Sequence, residues 1–432
     1  MVAIQRLPLT RRLYTLLLYF LTPLVMLRLL WRGLRVPAYW RRWPERFGWI
    51  PHSREDCLWI HAVSVGEVQA AVPLIKALRS RYPPQRIVVT TMTPTGAEHA
   101  QAVLSADVTH YYAPYDLPQA VQRFLQRARP RLLIIMETEL WPNLIHTCYA
   151  RAIPVILANA RLSERSATRY RRIKKLMTET LEKISIIAAQ TQPEAERFIE
   201  LGARPDTVHV TGSIKYDVKL SASLREEAQV LRRLWGVERA VWIAASTHEG
   251  EEAQLIDAYA AVRRELPHAL LVIVPRHPER FTKVAALCQK RGYRIVRRSE
   301  QRPCDANTEI VIGDSMGELN LFYAASDVAF VGGSLAPNGG HNLIEPAALG
   351  VPVITGPYTF NFAEVTQQLC EAGAAVQIHN TQQLSNTVVK FLKDANLRYQ
   401  TGEKGRELVE RNRGALNTLL EIIARYLSRL NE

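Results

Sequence analysis

The stretch CLWIHAVSVGEVQAAVPLIKALRSRYPPQRIVVTTM, residues 57–92, decides how this chain folds. CLWIHAV is apolar and aromatic, as a buried strand is. A glycine and a glutamate follow, and apolar residues then recur at helical spacing, which predicts a helix over 67–79. Pro73 lies inside that helix and removes one backbone donor. RIVVTTM is a second β-branched run. Strand, helix and strand in this order make a crossover unit with parallel strands.

The alternation continues through the first half. PTGAEHAQAVL and LPQAVQRFLQRA read as helices, with the strand THYYAP between them. The strand RLLIIME, the helix LWPNLIHTCYA and the strand IPVILAN come next, then a long basic helix and the strand ISIIAAQ. Runs such as LLIIM are apolar on both faces, so the sheet is covered on both sides. The pattern restarts near residue 238, with strands AVWIAAS, ALLVIVPRHP, YRIVRRS, TEIVIGD, DVAFVGGS and VPVITGP. The joint falls near TGSIKYDV, residues 211–218, and NTLLEIIARYLSRL closes the chain as an amphipathic helix. The expectation is an α/β protein of two parallel-sheet domains, 36–215 and 216–432, with the final helix packing back on the first. In open parallel sheets ligands bind beyond the carboxyl ends of the strands, so the two sheets are expected to face each other across a cleft.

Ahead of both domains, LYTLLLYFLTPLVMLRLLW runs from Leu13 to Trp31, with Arg6, Arg11 and Arg12 before it and Arg32, Arg35, Arg41, Arg42 and Arg46 after it. No small-residue cleavage site follows, which argues against a removed signal peptide. Its uncharged part is short of the roughly 20 residues of a full span. Residues 1–35 read as a membrane anchor, spanning or interfacial, against a buried helix as the plain alternative. With 55 Lys+Arg against 41 Asp+Glu, the net charge is +14, which suits an anionic partner. The cysteines, Cys57, Cys148, Cys288, Cys304 and Cys370, form no CxxC pair and no metal-ligand spacing.

Several strand ends carry groups suited to chemistry. VIVPRHPERF places Arg276 after a strand, where a guanidinium can fork a phosphate or carboxylate; a surface turn between two prolines is the plain alternative. IGDSMGEL puts Asp314 or Ser315 at a helix start, with Gly317 and Glu318 in its first turn, either an anion site or an ordinary cap. FVGGSLAPNGGHNLIEPAALGVPVITGP, residues 330–357, opens a strand into a loop with four glycines, and Asn342 begins a helix with Glu345 in its first turn. Glycines let backbone approach a phosphate closely, and the glutamate suits a ribose diol. Neither GxGxxG nor GxxxxGK[ST] occurs. In the first half Glu137, Glu139, Asn159 and Arg161 end strands as candidate cleft or acceptor groups. Glu67 sits at the tight turn after the first strand, an ordinary first-turn acid or a general base.

Together VSVGE, TTMTPTG, METELWPN, ANARLS, STHEGEE, VPRHPERF, GDSMGEL and GGSLAPNGGHN resemble the bacterial 3-deoxy-D-manno-octulosonic acid (Kdo) transferases. These are lipid A-modifying glycosyltransferases of the GT-B fold, and the resemblance covers nearly the whole chain. It implies a bacterial inner-membrane enzyme on the cytoplasmic side. Such an enzyme transfers Kdo from CMP-Kdo to the tetraacyldisaccharide 1,4'-bisphosphate precursor of lipid A (lipid IVA) in lipopolysaccharide core biosynthesis. By resemblance Glu67 is the proton acceptor. The CMP contacts are Pro275 and Arg276; Met316, Gly317 and Glu318; and Asn342, Leu343, Ile344 and Glu345. The expected partners are the donor, the lipid acceptor and an anionic membrane surface, with no nucleic acid, no cofactor and no metal. Transfer would proceed by single displacement with inversion. A nucleotide-sugar epimerase shares the two-sheet layout but has no reason for an anchor. A nucleic-acid-binding protein would leave the glycine-rich loop idle.

Overall fold

A computed structural model of the protein describes residues 9–83, 85–104, 108–218 and 220–429. Arg6 lies outside the described residues. The chain divides into two compact units, Met1–Asp217 with Arg413–Glu432, and Val218–Asn412.

The first unit is built on seven parallel strands: β1 (Cys57–His61), β2 (Arg86–Thr91), β3 (Val108–Tyr112), β4 (Pro130–Met136), β5 (Val155–Ala160), β6 (Ile186–Ala189) and β7 (Val208–Val210). Their order is β3-β2-β1-β4-β5-β6-β7. Side chains alternate across the sheet as the pleat requires. Cys57, Trp59, Leu133 and Ile135 enter one core, while Leu58, Ile60, Leu132 and Ile134 enter the other.

The helix after β1 runs over Val65–Arg81, longer than the sequence predicts, and Pro73 stays inside it. A mid-helix proline costs about 3 kcal/mol. Burial of Val68, Ala71, Leu74, Ile75 and Leu78 in one core outweighs that cost, at roughly 1.5–3 kcal/mol for each large side chain.

The long basic helix is in fact two, Glu164–Arg171 and Lys174–Leu181. Ala167 of the first and Leu176 of the second are both buried. On one straight helix of about 3.6 residues per turn they would point to opposite sides, so the break lets both reach the core. The last helix, Ala415–Arg429, returns to this unit, packing against the Val65–Arg81 helix and burying Leu416, Leu419, Ile423 and Leu427 in the same core. Asp217 fixes its start by accepting from the backbone N–H groups of Gly414 and Leu416, both at 2.7 Å.

The second unit repeats the plan with β8 (Val241–Thr247), β9 (Leu270–Pro275), β10 (Ile295–Arg297), β11 (Ile310–Ile312), β12 (Val328–Val331), β13 (Val353–Thr355) and β14 (Ala375–Gln377). All are parallel, in the order β10-β11-β9-β8-β12-β13-β14. Each sheet reverses direction once, between β1 and β4 in the first and between β8 and β12 in the second. Such reversals open crevices at the carboxyl ends of the flanking strands.

Before β1, an α-helix spans Leu9–Arg35 and is long and apolar enough to cross a membrane.

Candidate active site

Glu67 sits at the reversal point of the first sheet, in the first turn of the helix that follows β1. Ser64 caps that helix, its hydroxyl oxygen accepting from the Glu67 N–H at 3.3 Å. The Glu67 carboxylate reaches back, accepting from the Val63 N–H at 2.8 Å and from the Ser64 hydroxyl at 2.8 Å. This is a capping-box arrangement, and it holds the carboxyl in one place. Only 7% of Glu67 is exposed. Burial pushes its carboxyl up to about 8, and the charge of Glu139 adds to the push against the two hydrogen bonds. The helix end is worth about 0.3–1 kcal/mol, less than one pKa unit at about 1.4 kcal/mol. In the contest between helix end and burial, burial prevails.

Glu139 and Glu137 follow β4, across the reversal from β1. Glu139 accepts from the Trp141 indole N–H at 2.7 Å, and burial raises its carboxyl too. Glu137 holds a left-handed φ of 56°, a strained backbone for a residue with a side chain. Its carboxylate pairs with Lys215 at 3.0 Å. Sequence reading missed Lys215; its only signal was its place in IKYD at the domain joint. Asn159 is 1% exposed and faces inward. Its side-chain oxygen accepts from the Ile214 N–H at 3.1 Å, and its own carbonyl accepts from Gln190 at 2.9 Å. Asn159 thus fastens the Ile214–Tyr216 turn that carries Lys215. Arg161, just after β5, is half-buried, and its carbonyl accepts from Thr138. The site therefore gathers Glu67, Glu137, Glu139 and Lys215, with Asn159 beneath them.

In the second unit the glycine-rich loop leaves β12 at the other reversal point. A Cβ on Gly332 would sit 2.8 Å from the Ser246 carbonyl oxygen and 2.9 Å from that of Ala245, so only glycine lets the loop pass this close to β8. The loop is gripped by Glu251, which sequence reading quoted within STHEGEE without a role. This carboxylate is fully buried. It accepts from the N–H groups of Gly333 at 2.7 Å, Ser334 at 2.9 Å, Leu335 at 2.8 Å and His248 at 2.9 Å. Glu252 beside it is held by Arg280.

Arg276 is exposed after β9, and its charge acts on Glu345, His248 and His341. His248 and His341 stack, their Nε2 atoms 2.8 Å apart, with His277 edge-on to His248. Burial lowers His341 to about 3 and also lowers His248, so at neutral pH these two rings offer hydrogen bonds without charge.

The remaining donor-side residues fall as follows. Pro275 ends β9 and is buried. The helix after β11 begins later than the sequence predicts, at Leu319, so Gly317 lies ahead of it in a turn with φ 84°. Met316 is exposed, while Glu318 takes a two-pronged grip from Arg298 at 2.7 and 3.0 Å and accepts from the Ser315 hydroxyl. Leu343 and Ile344 bury their side chains and can meet a ligand only through backbone. The helix starts at Ile344 rather than Asn342; Asn342 stands just before its first residues, accepting from the Ile344 N–H at 3.0 Å and donating to Glu345 at 3.2 Å. Burial raises the Glu345 carboxyl. Among the described residues no group of three or more His, Cys, Asp or Glu is arranged to hold a metal ion.

A family model for 3-deoxy-D-manno-octulosonic-acid transferases matches residues 41–218, and one for group 1 glycosyl transferases matches residues 242–408. The 3-deoxy-D-manno-octulosonic acid transferase of Haemophilus influenzae is 43% identical over 96% of this chain and 98% of its own. The chain belongs to the Kdo transferase family. The solved C-terminal CMP-Kdo binding domain of WaaA from Acinetobacter baumannii is 36% identical, covering 44% of this chain and 99% of that one, with a TM-score of 0.42. MurG from the same organism is 12% identical and covers 86% of this chain and 99% of that one, at TM-score 0.53. That likeness is one of fold. The transferase is an α/β protein of the GT-B class, with one parallel seven-stranded sheet in each unit.

Proposed function

We propose that this transferase moves Kdo from CMP-Kdo to the tetraacyldisaccharide 1,4'-bisphosphate precursor of lipid A, with inversion and without a metal, at the cytoplasmic face of the inner membrane. The observation that carries the mechanism is a buried carboxyl, Glu67, fixed by two hydrogen bonds at a sheet reversal and pushed up to about 8. A general base works best when its pKa lies near the working pH. Glu67 takes the proton from an acceptor hydroxyl as that oxygen bonds to the anomeric carbon. The bond from that carbon to the CMP phosphate oxygen breaks, and CMP leaves with the electron pair.

The second unit holds the donor. Arg276, with no side-chain partner among the described residues, offers a fork to the donor's anionic groups. The glycine-rich loop brings backbone close to the nucleotide, and Glu345 accepts from the ribose. Pro275, Met316, Gly317, Glu318, Asn342, Leu343 and Ile344 complete the nucleotide contacts. Glu137, Glu139 and Arg161 border the acceptor. The net charge of +14 suits a bisphosphorylated lipid and an anionic membrane.

Incubation with CMP-Kdo and the bisphosphorylated lipid, read by mass spectrometry, tests the reading. The expected product is the lipid carrying Kdo, with CMP released. Free Kdo and CMP with unchanged lipid would contradict it.

A further inference from the structure

Over its first turns the Leu9–Arg35 helix has two unlike faces, and beyond them Leu21, Val25 and Leu30 leave it apolar and exposed on every side. Arg11, Tyr14, Thr15, Leu18 and Thr22 share one side at helical spacing and turn toward the first unit. That side is tied down by polar bonds. Tyr14 donates to Asp116 at 2.9 Å, Thr15 to Asn143 at 3.0 Å and Thr10 to Glu179 at 2.6 Å. Asp116 is itself buried and accepts from the backbone N–H groups that open the Pro142–Ala150 helix. The opposite side carries Leu13, Leu16, Leu17, Phe20, Leu24, Leu27, Trp31 and Leu34, of which Leu16 is 67%, Phe20 76% and Leu34 70% exposed. A soluble protein places these faces the other way round.

The far end of the helix is tied to the same unit. The chain doubles back at Pro37–Trp40, where Trp40 donates to the Leu30 carbonyl at 3.1 Å. Its ring lies where a Cβ on Gly33 would be, so only glycine admits it. Arg42 then donates to the His110 carbonyl at 2.7 Å. A helix crossing a bilayer separates its ends by a hydrocarbon layer of about 30 Å. The seven steps from Arg35 to Arg42 reach at most about 25 Å even when extended, and four of the residues between are coiled in the Pro37–Trp40 turn. With both ends fastened to one unit, the helix has no room to span.

We infer that this helix lies in the plane of an anionic lipid surface, its leucine and phenylalanine face immersed and its polar face bolted to the first unit. The occupant is lipid rather than a second copy of the chain, because the apolar face is flanked by exposed Arg12, Arg28, Arg32 and Arg35, which suit phosphate headgroups and would repel their own copies across a two-fold interface. Trp31 and Trp40, both exposed, are placed as interfacial aromatics are. The inference rests on the membrane location proposed above but decides how the chain meets it.

Two measurements test it. Small reactive tags are fused at the two chain ends, and spheroplasts are treated with a membrane-impermeant label. An in-plane helix leaves both tags on one side, so both label only after permeabilisation. Labelling of the first tag alone in intact spheroplasts means that the helix spans, and overturns the inference. In the second, the full chain is floated with phosphatidylglycerol vesicles. Leu16→Gln, Phe20→Gln and Leu24→Gln together are expected to cut flotation at least tenfold, while transfer to detergent-dispersed acceptor stays within twofold. Unchanged flotation overturns the inference, as does a wild-type dimer that the triple variant breaks without losing flotation. Loss of transfer by the wild type in detergent would strike the proposed activity instead, and leaves the flotation result to be read separately.

Discussion

Glu67→Gln removes the proton acceptor while keeping the shape of the turn. A positioned general base is worth about 10²–10⁴-fold, so turnover at pH 8 is expected to fall by that factor. The amide oxygen still accepts from the Val63 N–H, but the amide nitrogen cannot accept from the Ser64 hydroxyl. One hydrogen bond between neutral groups is then lost, about 1 kcal/mol. The sign of the stability change depends on pH. The folded carboxyl is raised from 4.5 to about 8, so between these values the folded protein binds a proton that the unfolded chain has released. Stability from this group is full below about 4.5 and is lost as pH rises through about 8. The glutamine carries no such slope. The variant is therefore expected to melt slightly lower than the wild type at pH 4, where the group's stabilisation is still full, and to exceed it at pH 9. CMP affinity, a property of the second unit, is expected to be unchanged. Transfer rates at saturating donor, melting curves at the two pH values and CMP titration calorimetry check all three. A variant that retains more than a tenth of wild-type turnover at pH 8 would remove Glu67 from the proton transfer.

Other outcomes follow from the second unit. Glu251→Gln keeps one accepting oxygen and turns an amide nitrogen toward two of the four N–H groups now gripped by the carboxylate. Losing two bonds to a charged group costs about 3 kcal/mol, so the melting point should drop by several degrees and the donor KM rise; an unchanged melting point would contradict the clamp. Arg276→Lys replaces a planar fork by a point charge and is expected to weaken CMP binding about tenfold, or about 1.4 kcal/mol, with little effect on melting because the side chain is exposed. Calorimetric titration with CMP checks it. Transfer in excess EDTA is expected to proceed at the untreated rate, and its loss with recovery on adding Mg²⁺ would contradict a metal-free reaction.

The parallel layout was legible because the strands are apolar on both faces, and twelve of the fourteen could be named from β-branched runs. The two passed over, β7 and β14, are edge strands that carry a polar residue and turn exposed along their length, so no apolar run marks them. Glu67 was legible from its turn, since a glycine and a glutamate between a buried strand and a helix are local signals. The push on its carboxyl was not, because it comes from burial and from Glu139, brought near by pairing of β1 with β4. Glu251 and Lys215 were hidden for the same reason: each acts on a group far along the chain. Asn159 was read as a cleft residue because it ends a strand. The bulge between β5 and β6 and its left-handed φ of 53° go with an inward-facing side chain.

The central claim is that the raised carboxyl of Glu67 takes the acceptor's proton. Its most direct test is the single-turnover rate of Kdo transfer against pH, in the wild type and in Glu139→Gln. The wild-type rate is expected to climb with pH and level off near 8, where the carboxyl becomes ionised. Removing the Glu139 charge should move that rise to lower pH. A flat profile, or one that stays put in the variant, would contradict the account.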